Sequence, residues 1–133
     1  MGLPFYPQAK PEPRTRTKGR KTRQEQAVKT SVRARCVARD EYCRAHSYSR
    51  YFHGDVLDAS VGLLDLACDG PSEWAHLLRR SLTRGQAPER RHTTTHSLML
   101  CRHHHQQEEA GHLIITARTR RGCDGPLRFR RAQ

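Results

Sequence analysis

The stretch His96-Ser97-Leu98-Met99-Leu100-Cys101-Arg102-His103-His104-His105-Gln106-Gln107-Glu108-Glu109 decides the fold. An apolar run, Leu98 to Leu100, ends in a cysteine, and three histidines lead on into a polar segment that reads as the start of a helix. Cys101 and His104 stand three positions apart, the spacing at which a tight turn aims two side chains at one zinc ion. His105 comes next, so it points away from His104 and can serve a different site. One strand-to-helix junction therefore serves two purposes.

Upstream, Pro71-Ser72-Glu73-Trp74-Ala75-His76-Leu77-Leu78 is short, strand-like and bounded by turn residues on its left. Residues 79–91, with Gly85 and Pro88 among charged residues, read as a long loop, which makes the unit strand–loop–strand–helix. Gly111 suits the position just past the helix. The last segment pairs Leu113-Ile114-Ile115-Thr116 with Leu127-Arg128-Phe129-Arg130 across Gly122-Cys123-Asp124-Gly125-Pro126, a closing hairpin over 113–133. Arg118, Arg120, Arg121, Arg128, Arg130 and Arg131 give it a basic face, and Cys123 sits in its turn.

Ahead of these strands, residues 24–40 carry Ala27, Val28, Val32, Cys36 and Val37 near one stripe, the mark of a helix. Cys36 lies on that stripe and is expected to pack in it, while Arg33, Arg35 and Arg39 on the other faces extend a phosphate-binding surface. Cys43-Arg44-Ala45-His46 is a second Cys-x2-His pair. Cys43, His46, Cys101 and His104 supply the four ligands of a tetrahedral zinc site. Cys68, in the turn Cys68-Asp69-Gly70-Pro71, is the alternative to His46. Residues 47–67 hold Tyr48, Tyr51, Phe52, Val56 and Leu57 without a clean period, which fits a strand or a short helix; His53 there reads as a surface histidine.

Composition sets the outer bounds. The 133 residues, 35% apolar, allow one domain with a marginal core, for which a metal is a reasonable support. A net charge of +12 points to a polyanion, most commonly nucleic acid. Residues 1–35 hold ten Lys and Arg against two acids, a net of +8. Pro4, Pro7, Pro11 and Pro13 followed by a charge run cannot bury enough surface to offset ordering, so residues 1–25 read as a flexible basic arm. Arg14, Arg16, Lys18, Arg20, Lys21 and Arg23, with Arg79 and Arg80 of the long loop, are the candidate phosphate contacts; the plainer reading of the arm is a solubilising tail. No apolar run approaches the roughly 20 residues of a membrane span. The N-terminus lacks the apolar core of a secretion signal, and Tyr6 stands where myristoylation needs Ser or Thr. Five cysteines, an odd number, fit a reducing compartment and metal chemistry better than a disulfide framework, so the expected location is cytoplasmic.

A histidine ending one strand and another on the following helix is a hydrolytic arrangement: phosphodiester cleavage needs a base for water and a cation for the developing charge. His76 and His105 meet those needs if the unit folds as read; in a chain with nine histidines the plainer reading is coincidence.

The segments Arg39-Asp40-x-x-Cys43-x2-His46, Glu73-x-Ala75-His76-Leu77 and His96-x3-Leu100-Cys101-x2-His104-His105 resemble HNH endonucleases of the ββα-metal superfamily, in the zinc-knuckle subgroup of bacteriophages and bacteria. The resemblance covers roughly residues 32–110. It implies an α+β fold with a ββα-metal, treble-clef-like core over 26–112, with a preceding helix and with the C-terminal β-hairpin resembling an extension of phage members; the flexible basic arm lies outside it. It makes His76 the general base, with His96 standing where the family places Asn, and His105 a ligand of a catalytic divalent cation such as Mg²⁺, Mn²⁺ or Ni²⁺. Cys43, His46, Cys101 and His104 would hold structural Zn²⁺. The implied activity is metal-dependent hydrolysis of DNA in a bacterial host cell, with phage terminase or packaging proteins as partners. Two departures matter: His96 replaces the middle Asn of the motif, and the position before the base, where many members carry a metal-binding Asp or His, is Ala75. His96, Glu73 or water would then complete the metal shell. The alternative is a zinc-stabilised DNA-binding or nuclease-accessory protein with a degenerate site. His103 has no assigned role, and Trp74 is expected to pack in the core.

Overall fold

The strand Ser97–Cys101 is buried along its whole length because both of its faces are covered. In the computed structural model of the chain, residues 20–61, 66–77 and 86–132 are described. The elements in order are α1 (Arg20–Asp40), α2 (Ser47–His53), β1 (Val56–Leu57), β2 (Ser72–His76), α3 (Pro88–Arg91), β3 (Ser97–Cys101), α4 (Arg102–Glu109), β4 (Leu113–Ala117) and β5 (Leu127–Arg131).

β2 and β3 run antiparallel, pairing Ser72 with Cys101, Trp74 with Met99 and His76 with Ser97. Side chains alternate across a strand, and the two faces of β3 meet different partners. Met99 packs with Val32 and Cys36 of α1, joined by Val28 and Trp74. Leu98 and Leu100 face the other way, into a cluster with Leu113, Ile115, Leu127 and Phe129. The fold is therefore α1, then the β2–β3 pair, then α4 with a second sheet. That sheet has the order β1-β5-β4, with β5 antiparallel to β4 and parallel to β1. The C-terminal hairpin thus supplies five of the eleven buried residues of the main core.

Three local features correct or narrow the sequence reading. α1 begins at Arg20, so residues 20–25, assigned above to a flexible arm, form its first turns; residues 1–19 lie outside the described residues. On α1 it is Val32 and Cys36 that are buried, whereas Ala27 and Val37 are exposed. The short-helix alternative holds for Ser47–His53, and it gave no clean period because its aromatic residues face solvent: Tyr48, Tyr51 and Phe52 are 63%, 89% and 72% exposed. A turn at its start and left-handed Gly54 (φ 69°) at its end define it instead. Within the expected long loop, Pro88 opens the single-turn helix α3; residues 78–85 lie outside the described residues.

Two arginines tie the layers together. Arg44 is fully buried, and all five of its N–H groups are used. They reach Asp55 at 2.8 and 3.0 Å, Asp40 at 3.1 Å, and the carbonyls of Cys123 and Gly125 at 2.6 and 2.7 Å. Arg39 likewise spends its donors on Asp40, Asp124 and the carbonyls of Thr94 and Ser97. The reading of Arg39 as a phosphate contact is corrected accordingly: its guanidinium joins α1 to the turns flanking β3 and β5.

Candidate functional site

Cys43, Cys68, Cys101 and His104 bring one ligand atom each to within 4.8 Å of one another, a site compatible with structural zinc. Each arrives from a different local device. Cys43 lies in the turn after α1, where Glu41 takes a left-handed conformation (φ 61°) and the Arg44 N–H donates to the Met99 carbonyl at 2.8 Å. Cys101 ends β3 and caps α4, its sulfur accepting from the His104 N–H at 3.5 Å. His104 is carried inward by the first turn of α4 and is fully buried. Cys68 comes on a loop held to α4 by two hydrogen bonds, from the Arg102 N–H to the Pro71 carbonyl (2.9 Å) and from the His103 N–H to the Asp69 carbonyl (3.1 Å).

His104 Nδ1 stands 3.0 Å from Cys101 Sγ, 3.5 Å from Cys43 Sγ and 3.8 Å from Cys68 Sγ. In a tetrahedral zinc site with Zn–S of about 2.3 Å and Zn–N of about 2.05 Å, the N···S edge is about 3.6 Å. The three edges bracket that value, so one cation fits at the centre. Burial, reinforced by neighbouring thiols, pushes the Cys68 thiol up to about 11 and the Cys43 thiol higher still. Cys43 and Cys68 therefore favour neutral thiols on their own, and a bound cation would offset the charge of their thiolates.

The set differs from the first choice made on spacing. His46 is exposed and stands outside the cluster; its Nδ1 accepts from the Tyr48 N–H at 3.3 Å and caps α2. Cys68 takes the fourth corner, 25 residues further along the chain. Cys36 and Cys123 are buried in packing positions, Cys36 with its thiol directed at the Ser97 carbonyl. Burial also raises the Cys123 thiol, to about 12.

The histidines singled out for chemistry fall into two groups. His105 lies between two carboxylates: Nδ1 is 3.1 Å from Glu73 and Nε2 is 3.2 Å from Glu109. Arg102 reaches the other Glu73 oxygen at 3.5 Å, and the hydrogen bond from His105 is the main cause holding the Glu73 carboxyl below its ordinary range. His76, the last residue of β2, lies on the opposite face. Its ring packs on Trp74 with centroids 4.3 Å apart, and its Nε2 is 3.2 Å from Nδ1 of His92. His92, buried just after α3, turns its Nε2 to Glu25 of α1 at 3.1 Å. That hydrogen bond leads the influences that hold the Glu25 carboxyl low, with Arg91 and Lys29 adding to it.

Residues 73 and 76 face opposite sides of β2 and are separated by roughly 10 Å of strand. The structure thus does not bring His76 and His105 together, and the expected base and metal ligand belong to different surfaces. The reason is the strand period: Glu73 and Ala75 face α4 and the main core, whereas Trp74 and His76 face α1. His96, expected beside the base, is exposed in the turn before β3, and its carbonyl accepts from the Leu77 N–H at 2.8 Å. His103 is hydrogen-bonded to Gln107 at 3.1 Å.

Of the expected phosphate contacts, Arg14, Arg16, Lys18, Arg79 and Arg80 lie outside the described residues. Arg20, Lys21 and Arg23 belong to the start of α1, with Arg23 exposed. Spacing alone missed Glu25 and His92. They lie 67 positions apart, amid charged residues that read as solvated surface, and only the packing of α1 against α3 joins them.

Comparison with family profiles, with curated proteins and with solved structures gave no match. Among the described residues, no helix is long and apolar enough to cross a membrane.

Proposed function

We propose that this chain is a zinc-stabilised endonuclease that hydrolyses DNA phosphodiester bonds, with His76 as the general base. The observation that carries the proposal is the position of His76. It ends β2 of a strand–strand–helix unit whose helix is pinned by the Cys₃His cluster, in a chain of net charge +12. His76 would take the proton from water as the new P–O bond forms and the bond to the sugar oxygen breaks. A divalent cation would neutralise the phosphate during that step. The zinc in this reading is structural: four protein ligands leave no open coordination position, and its binding energy is folding energy.

The cation seat differs from the one the HNH resemblance implies. His105 is engaged with Glu73 and Glu109 on the far side of β2, so no step in this proposal runs through a cation there. The same separation favours a second reading, a zinc-stabilised DNA-binding or nuclease-accessory protein that does not cut.

Plasmid nicking by the zinc-loaded protein with Mg²⁺, Mn²⁺ or Ni²⁺ separates the two. The nuclease reading expects nicking by wild type and a loss of about 10²- to 10⁴-fold in His76→Ala. Equal cutting by both would remove His76 from the mechanism. DNA binding without cutting, in wild type with its zinc intact, would favour the second reading.

A further inference from the structure

We propose that Glu25 and His92 are positioning residues that fix the tautomer and the ring orientation of His76; the inference rests on the reading of His76 as a general base. The three side chains come from α1, from the residue after α3, and from the end of β2. They form one unbroken series, with Glu25 Oε1 to His92 Nε2 at 3.1 Å and His92 Nδ1 to His76 Nε2 at 3.2 Å.

A carboxylate only accepts hydrogen bonds, so His92 must donate from Nε2. Neutral His92 then carries its lone pair on Nδ1, which makes Nε2 of His76 the donor in the second link. Within this series His76 carries its proton on Nε2, which in the base reading assigns the proton-accepting role to Nδ1. The order of the series therefore selects one tautomer of the base.

Packing fixes the rings as well. Trp74 lies 4.3 Å from the His76 ring centroid and 5.8 Å from that of His92. Arg91, 3.3 Å from Glu25, and Lys29, at 3.9 Å, hold the carboxylate at the outer end. His92 is 6% exposed, whereas His76 is half-buried, so the series runs from a buried imidazole to a partly exposed one. When His76 takes the proton, the positive charge is stabilised through His92 by Glu25, and no proton needs to reach the carboxylate.

The test uses the full-length, zinc-loaded protein in plasmid nicking with Mn²⁺, with kcat and KM for the plasmid measured separately. Glu25→Gln should lower kcat by about 10- to 100-fold with KM within about twofold, and Glu25→Asp should recover part of the loss. The double variant Glu25→Gln/His92→Ala should be no slower than His92→Ala alone, because both act through one series. Imidazole ¹⁵N spectra should show His92 and His76 both as Nε2–H tautomers in wild type, with Glu25→Gln redistributing them. Wild-type kcat in Glu25→Gln beside an inactive His76→Ala would overturn the positioning role and leave the base intact. Full activity in His76→Ala, or no nicking by wild type, would overturn the base reading and this inference with it. An Nδ1–H tautomer on either ring would overturn the series irrespective of activity.

Discussion

Arg44→Met removes a fully buried side chain that makes five hydrogen bonds. Arg44, Asp40 and Asp55 have side chains with no exposure, and Arg44 supplies five hydrogen bonds among them and the turn before β5. After the change Asp40 keeps Arg39 at 2.7 and 2.8 Å and the Met99 N–H at 3.0 Å. Asp55 fares worse: of its bonds to described residues it retains the Leu127 N–H at 2.8 Å, a lone donor for a buried carboxylate. Breaking a buried ion pair on one side costs about 3–5 kcal/mol. The carbonyls of buried Cys123 and Gly125 lose their donor as well, which places the expected loss no lower than the middle of that range, about 4 kcal/mol. Total stability for a domain is about 5–15 kcal/mol, so the variant sits near the edge of folding, with a Tm about 10–20 °C lower. Circular-dichroism melts and urea titrations with zinc in excess measure this. Because the cost lies in the orphaned carboxylate, Arg44→Met/Asp55→Leu should recover much of the loss. A drop below about 1 kcal/mol in the single variant, or no recovery in the double, would refute this account of the core.

Two further outcomes follow from the cluster and its loop. Gly70 has φ 85°, and a Cβ there would stand 2.8 Å from Cβ of Arg102; Gly70→Ala should therefore cost about 1–3 kcal/mol. It should also weaken zinc binding, read by chelator competition, since Gly70 sits two residues after Cys68; an unchanged melt and affinity would contradict it. Zinc binding should depend steeply on pH, because the raised Cys43 and Cys68 thiols are protonated at pH 7 and must release protons to coordinate. Affinity then falls as pH falls, by at least about two logarithmic units per pH unit, and calorimetry in buffers of different ionisation enthalpy should count two or more protons released. One or none would contradict the assigned ligand state.

What could be read from the chain follows the range of the interactions. Leu98 to Cys101 announced a strand, and Cys101-x2-His104 a metal-binding turn, because both depend on neighbours within a few residues. The hairpin of β4 and β5 was legible from Leu113, Ile115, Leu127 and Phe129, which alternate inward about a glycine-rich turn. The choice between His46 and Cys68 depended on a loop anchored to α4 through backbone hydrogen bonds, which spacing does not encode. The faces of His76 and His105 depended on the register of β2, and a difference of three along a strand puts residues on opposite sides. Arg39 looked like surface charge because its carboxylate and carbonyl partners lie as far as 85 residues away. α2 has no buried stripe to betray it.

Cys43, Cys68, Cys101 and His104 form a site compatible with structural zinc, and a cation there would be the centre about which the fold is built. Native mass spectrometry of protein purified without added metal, beside the Cys68→Ser and His46→Ala variants, tests it most directly. The account predicts one zinc per chain in wild type and in His46→Ala, and loss of that zinc with a collapsed melting transition in Cys68→Ser. Zinc retained in Cys68→Ser and lost in His46→Ala would contradict it.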